Sequence, residues 1–145
     1  MSSSKLKIVL DTNVFIVSLL PRFKYHWVFR SLIEQQYELG VSNEILTEYQ
    51  EQAAKRFGLS TTDSNLDFLL LLPNVEKVTP HYRWKLIEAD PDDDKFVDCA
   101  VAYGADYLVT NDKHFQVLQN IDFPPVSVIS LHTFEEILNR DNQTR

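Results

Sequence analysis

Four acidic residues spread over about a hundred positions each fall where a strand of a parallel sheet would end or a helix would begin. Asp11 closes the apolar run Lys7-Ile8-Val9-Leu10, and Glu48 lies one turn into the segment opened by Ser42. Asp93 stands in the acidic block before Phe96-Val97, and Asp112 follows Tyr107-Leu108-Val109-Thr110. Carboxylates gathered at the carboxyl edge of such a sheet repel one another strongly unless a divalent cation neutralises them. An ion held in this way can deprotonate water near neutral pH and stabilise charge on phosphoryl oxygens and on a leaving 3′-oxygen, which is the chemistry of phosphodiester hydrolysis. Hard oxygen ligands suit Mg²⁺ or Mn²⁺, and four acids are enough for one firmly held ion and a second that arrives with substrate.

The elements that must position these acids alternate between strand and helix. Lys7 to Leu10 reads as a short strand ending in Asp-Thr-Asn, and Val14-Phe15-Ile16 with Leu19-Leu20 has helical spacing up to the stop at Pro21. The spacing predicts an amphipathic helix from Trp27 to Gln36 and a second strand over Tyr37 to Val41. Ser42 can cap a helix from Asn43 to Phe57, in which Ile45, Tyr49 and Ala53 share one face, Glu44, Glu48 and Glu51 another, and Gly58 gives the stop. A helix from Thr61 to Leu72 ends before Pro73, and Val75 to Val78 is expected to be a strand. A helix from Asp92 or Asp93 to Tyr103, a buried strand to Thr110, a short helix from Asp112 through Leu118, a strand Ser127 to Ser130 and a helix Thr133 to Asn139 complete the chain. This alternation, with only three glycines, predicts an α/β fold whose parallel sheet is covered on both faces. In open sheets of this kind ligands bind beyond the carboxyl ends of the strands, where Asp11 and Asp112 fall together.

Composition narrows the partners. At 145 residues and 44% hydrophobic content the chain fits one globular domain. The single Cys99 cannot form an internal disulfide and reads as a small core residue; four widely spaced histidines make no zinc cluster, so a reducing, cytoplasmic setting is expected. The start Met-Ser-Ser-Ser-Lys has no long apolar core, and no stretch approaches the roughly 18 apolar residues of a membrane span. A net charge of −7 argues against an extended basic groove for duplex DNA, so phosphate must be recruited through metal and a few local cations.

The segments Lys-Ile-Val-Leu-Asp-Thr-Asn-Val-Phe-Ile (7–16), Ser-Asn-Glu-Ile-Leu-Thr-Glu-Tyr (42–49), Asp-Pro-Asp-Asp-Asp-Lys-Phe-Val-Asp-Cys-Ala (90–100) and Gly-Ala-Asp-Tyr-Leu-Val-Thr-Asn-Asp-Lys-His-Phe (104–115) together resemble the four motifs of PIN-domain proteins. The resemblance covers nearly the whole chain and lies nearest the bacterial and archaeal toxin branch of toxin–antitoxin pairs, relatives of the VapC-type ribonucleases. It implies a single PIN domain over 1–145, a three-layer α/β/α sandwich with a central parallel sheet of four or five strands. Carried over motif by motif, the family's acids are Asp11, Glu48, Asp93 and Asp112. For the third, Asp93 stands seven residues before Ala100 and eleven before Gly104, as the family's acid does, with Asp94 as the alternative. Aspartates 90 to 94 otherwise read as a solvated turn that caps a helix.

On this reading Asp11, Asp93 and Asp112 are the main metal ligands, and Glu48 holds a second ion or orients the attacking water. Asn13 and the Thr110 hydroxyl would support them by bonding a ligand carboxylate or a metal-bound water, although Asn13 can simply cap the first helix and Thr110 can simply satisfy backbone. Glu44 reads as an exposed helix residue. The segment Arg22-Phe23-Lys24-Tyr25-His26-Trp27 mixes cations with rings, as single-strand binding surfaces do, and Lys113 and His114 are placed by sequence to meet a phosphate. His81 to Trp84 form a second mixed cluster with no specific reading. The implied function is a divalent-metal-dependent endoribonuclease acting on RNA and leaving a 5′-phosphate and a 3′-hydroxyl, with a small antitoxin and a second copy of the chain as partners. The alternatives are a catalytically weak PIN-like module that binds RNA or protein, and a phosphatase with Asp11 as nucleophile, which Asn13 disfavours because such enzymes keep a second aspartate there.

Overall fold

A computed structural model of the chain describes residues 5–143. Its five strands are Lys7–Leu10 (β1), Glu38–Val41 (β2), Val75–Lys77 (β3), Tyr107–Val109 (β4) and Val128–Ile129 (β5). They form one sheet in the order β3-β2-β1-β4-β5, with every pairing parallel. The α-helices among the described residues are Thr12–Ser18 (α1), His26–Ile33 (α2), Asn43–Phe57 (α3), Leu59–Leu71 (α4), Asp94–Tyr103 (α5) and Leu131–Gln143 (α6), with 3₁₀ segments at Pro91–Asp93 and Lys113–Asn120. None of these helices is long and apolar enough to cross a membrane.

The expected α/β architecture is therefore present, with five strands. Successive strand residues point to opposite faces, and Ile8, Val9 and Leu10 are all no more than 1% exposed, so both faces of the central strand are covered. Two details differ from the sequence expectation. Helix α4 starts at Leu59 and not Thr61, because the N–H of Thr62 already bonds the carbonyl of Gly58 and no threonine cap is needed. The segment after Asp112 winds as a 3₁₀ helix, with Phe115 and Leu118, three residues apart, as its buried positions.

Local chemistry explains where the elements begin and end. The Ser42 hydroxyl accepts from the Ile45 N–H at 3.2 Å and so caps α3, which carries Lys55 and Arg56 in its last turn where the helix dipole favours cations. Helix α5 ends at Gly104 in the left-handed conformation (φ 71°), which a residue with a side chain adopts only at a cost. Helix α3 is held against α1 by the Phe15–Tyr49 stack (centroids 4.0 Å apart, planes 7° apart), and the Tyr49 hydroxyl donates to the carbonyl of Leu10 at the end of β1. Such a ring pair adds roughly 0.5–1.5 kcal/mol beyond its buried area.

Gly40 on β2 is required by the approach of α5. A Cβ there would lie 2.8 Å from the Cε2 and Cγ atoms of the buried Tyr103 ring. Gly40→Ala is expected to lower stability by roughly 1–3 kcal/mol, as overpacking of a filled core does, and urea unfolding followed by circular dichroism would measure it.

Candidate metal centre

Because β1 and β4 are neighbours, their carboxyl ends bring Asp11 and Thr110 side by side. The pairing Leu10↔Val109 is extended by a bond from the Asp11 N–H to the Val109 carbonyl at 3.1 Å. The Asp11 side chain is buried, and the Thr110 hydroxyl donates to its Oδ2 at 2.7 Å. That same hydroxyl accepts from the Asp112 N–H at 3.0 Å, so one threonine fixes both aspartates. Burial pushes the Asp11 carboxyl above the ordinary carboxylate range; the Thr110 bond opposes this, and the charges of Asp112 and Glu48 add to it.

Asp93 comes from the 3₁₀ turn that leads into α5. It is 9% exposed, and its Oδ2 is buried with no hydrogen-bond partner. Its pKa is pushed up to about 6, first by burial and then by Asp90, Asp112 and Asp11, while His114 acts the other way. The His114 Nδ1 lies 3.4 Å from Asp93 and 3.5 Å from Asp112, whose Oδ1 caps the following 3₁₀ segment by accepting from the His114 N–H at 2.9 Å. Among the described residues, Asp90, Asp93 and His114 form a group whose ligand atoms all lie within 4.8 Å of one another.

Asp94 points elsewhere. Its carboxylate accepts from the Ile87 N–H at 2.8 Å, and Asp98 likewise accepts from the Trp84 N–H at 2.9 Å, so both tie the irregular stretch after β3 to α5. Glu48, on α3, faces Asp11 closely enough to disturb its charge, but both of its oxygens are engaged. Oε2 accepts from the Thr12 hydroxyl and Oε1 from the Lys95 ammonium at 2.6 Å.

The supporting and substrate-contact candidates divide. Asn13 is exposed and lines a cleft of about 290 Å³ with Asp11, Asp112, Asn111, Tyr25 and Leu131. The Lys24 ammonium lies 5.4 Å from the ring centroid of Tyr25, a residue that lines that cleft. Lys113 is exposed beside Asp112. Arg22 instead packs over Phe23, opposite Arg56 and close to Phe57, about 13 Å further along α3 than Glu48. Tyr25 belongs to the mixed cation and ring segment and Asp90 to the aspartate run, whereas Lys95 and Thr12 have no sequence reading of their own. Lys95 directly follows the aspartate run and Thr12 follows Asp11, which was the only signal available. In the His81 to Trp84 cluster, Arg83 pairs with the exposed Glu44 at 3.0 Å, and Tyr82 and Trp84 pack ring to ring.

The donor set fits a hard divalent cation. Asp11 and Asp112 line one cleft, Asp93 and Asp112 both face His114, the charges of Asp11 and Asp112 push the Asp93 pKa up, and one buried Asp93 oxygen makes no hydrogen bond.

Comparison with known proteins bears on the fold and the family. A family model described as PIN domain matches residues 7–114. No curated protein matches the sequence significantly. Among solved structures the fold is similar to VapBC2 from Rickettsia felis bound to a DNA fragment from their promoter, at TM-score 0.61 and 20% identity over 86% of this chain and 98% of that one. It is also similar to Mycobacterium tuberculosis VapC20, a sarcin–ricin loop cleaving toxin, at TM-score 0.55 and 17% identity over 75% of this chain and 92% of that one. A third similar structure is the PIN domain endonuclease Utp24, at TM-score 0.51 and 17% identity, covering 86% and 84%.

In the metal-free chain, the raised pKa of Asp93 has a consequence for stability. Its contribution is fully present below the ordinary value of 3.8 and is lost as pH rises through about 6, because ionisation is then harder in the folded than in the unfolded state. Asp93→Asn should remove this component. In chelator, scanning calorimetry is expected to show the native chain losing more melting temperature than the variant between about pH 4 and pH 7.

Proposed function

Since the chain belongs to the PIN-domain family, we propose that it is a divalent-metal-dependent endoribonuclease that cleaves single-stranded RNA, working as a single domain in the cytoplasm. The observation that carries the reading is the neighbourhood of Asp11, Asp93 and Asp112 inside the matched segment: Asp11 and Asp112 line one cleft, Asp93 and Asp112 both face His114, and the charges of Asp11 and Asp112 act on Asp93. These three carboxylates hold the ion, and Glu48 borders them. A bound Mg²⁺ or Mn²⁺ supplies a water that is deprotonated near neutral pH and offsets charge on the phosphoryl oxygens.

The chain's own groups then have separate tasks. The Thr110 hydroxyl holds Asp11 and Asp112 in register, and His114 stands between Asp93 and Asp112, 3.4 and 3.5 Å from their carboxylates. Asn13 at the cleft bonds a ligand carboxylate or a coordinated water. Water adds to phosphorus, the bond to the 3′-oxygen breaks and that oxygen takes a proton, which leaves a 5′-phosphate and a 3′-hydroxyl. Lys113 and His114 meet the phosphate, and Lys24 beside Tyr25, with Arg22 farther off, guides the strand.

As partners we propose a small antitoxin protein and a second copy of the chain. The structures of similar fold include toxin–antitoxin assemblies, and α4 exposes Phe68, Leu70 and Leu71, the last 82% exposed, an apolar surface of the kind protein contacts cover.

The direct test is cleavage of single-stranded RNA with and without Mn²⁺. Activity should vanish in chelator, and Asp11→Asn should fall at least about 100-fold with an unchanged circular dichroism spectrum. Equal residual activity in the variant would mean a contaminating nuclease, and RNA retention without cleavage would make the chain a binding module. Thr110→Val should weaken Mn²⁺ binding by about 10–100-fold in calorimetric titration, as loss of a bond that orients a ligand does.

A further inference from the structure

The acidic residues separate into two groups by what already satisfies them. On one side, Asp11 has one oxygen bonded to Thr110, Asp112 one oxygen bonded to a backbone N–H, and Asp93 a buried oxygen that makes no hydrogen bond and has only the His114 imidazole beside it, at 3.4 Å. On the other side, Glu48 has both oxygens filled, by Thr12 and by Lys95.

Lys95 is not a loose surface cation that happens to lie near a carboxylate. Its side chain is 14% exposed, its ammonium also donates to the Asp92 carbonyl at 2.8 Å, and it lies 5.7 Å from the Phe96 ring centroid. Placed in the first turn of α5, it reaches across to α3, and it lines a cleft of about 440 Å³ together with Glu48 and Asp92. An ammonium held by two oxygen acceptors and an aromatic ring is a fixed point charge. A divalent ion bound at Glu48 would have to displace it, or sit against a like charge on oxygens that already accept hydrogen bonds.

We infer that Lys95 is a positioning residue that takes the place of a second cation at Glu48, so that the acidic edge binds one divalent ion, on the Asp11, Asp93 and Asp112 side. The inference rests on the reading of that edge as a metal centre. It replaces the expectation that Glu48 ligates a second ion: Glu48 acts through the ammonium it holds. Charge at the α3 side of the site is then built into the chain and does not arrive with substrate.

The test counts bound ions and does not depend on activity. Metal-stripped full-length chain is titrated with Mn²⁺, with free ion followed by electron paramagnetic resonance and the stoichiometry checked by calorimetry. The wild-type chain is expected to bind one Mn²⁺. Lys95→Gln should admit a second, Lys95→Gln combined with Glu48→Gln should return to one, and Lys95→Arg, which keeps the positive charge, should stay at one. Thermal unfolding establishes that each variant is folded. Should the glutamine variant fail to fold, the wild-type and Lys95→Arg counts still decide. Two ions in the wild-type chain, or a single ion in folded Lys95→Gln, would overturn the inference and leave the metal centre standing. No bound ion in any form would overturn both.

Discussion

Carboxylates brought together away from water repel one another, and the structure around this edge is organised by how that repulsion is met. Burial is the largest cause of the raised pKa at both Asp11 and Asp93, with neighbouring carboxylates adding to it. Hydrogen bonding relieves part of the cost at Asp11, through Thr110, and an ammonium neutralises Glu48. At Asp93 a buried oxygen makes no hydrogen bond and has the His114 imidazole 3.4 Å away. Of the buried polar atoms among the described residues without a hydrogen bond, it is the one on a carboxylate, where the cost of burial is highest.

The scaffold holds these groups still by simple means. Parallel pairing of β1 with β4 fixes the spacing between Asp11 and Thr110, and the threonine hydroxyl passes that spacing on to Asp112. The Tyr49 hydroxyl on the Leu10 carbonyl and the Phe15–Tyr49 stack lock α3, and with it Glu48, to the end of β1. Asp94 and Asp98 fasten the stretch after β3, so the turn that carries Asp93 enters α5 in one orientation. Neighbouring carboxylates thus have different surroundings, Asp94 and Asp98 accepting from backbone N–H groups and Asp93 facing His114.

Much of this was legible in the sequence, for physical reasons that also explain what was not. Ile8-Val9-Leu10 and Leu108-Val109 announce buried parallel strands because a strand covered on both faces has no polar alternation. Ser42 ahead of a periodic apolar face places Glu48 on a helix. Asp93 and Asp94 are harder to separate by pattern alone, since consecutive residues entering a helix diverge by roughly 100° and composition is the same at both. The pairing of Lys95 with Glu48 spans 47 positions and joins two helices, and local periodicity carries no information about such a contact. The 3₁₀ winding after Asp112 was hidden for a similar reason, because apolar residues three apart suit either kind of helix.

The strand order β3-β2-β1-β4-β5 sets the two acid-bearing strands at the middle of the sheet. Residues 78–90, which form no helix or strand, and α4 with its exposed Phe68 and Leu71 lie outside that pair of strands. A change of length in those outer segments leaves the register between β1 and β4 untouched, and with it the spacing of Asp11, Thr110 and Asp112.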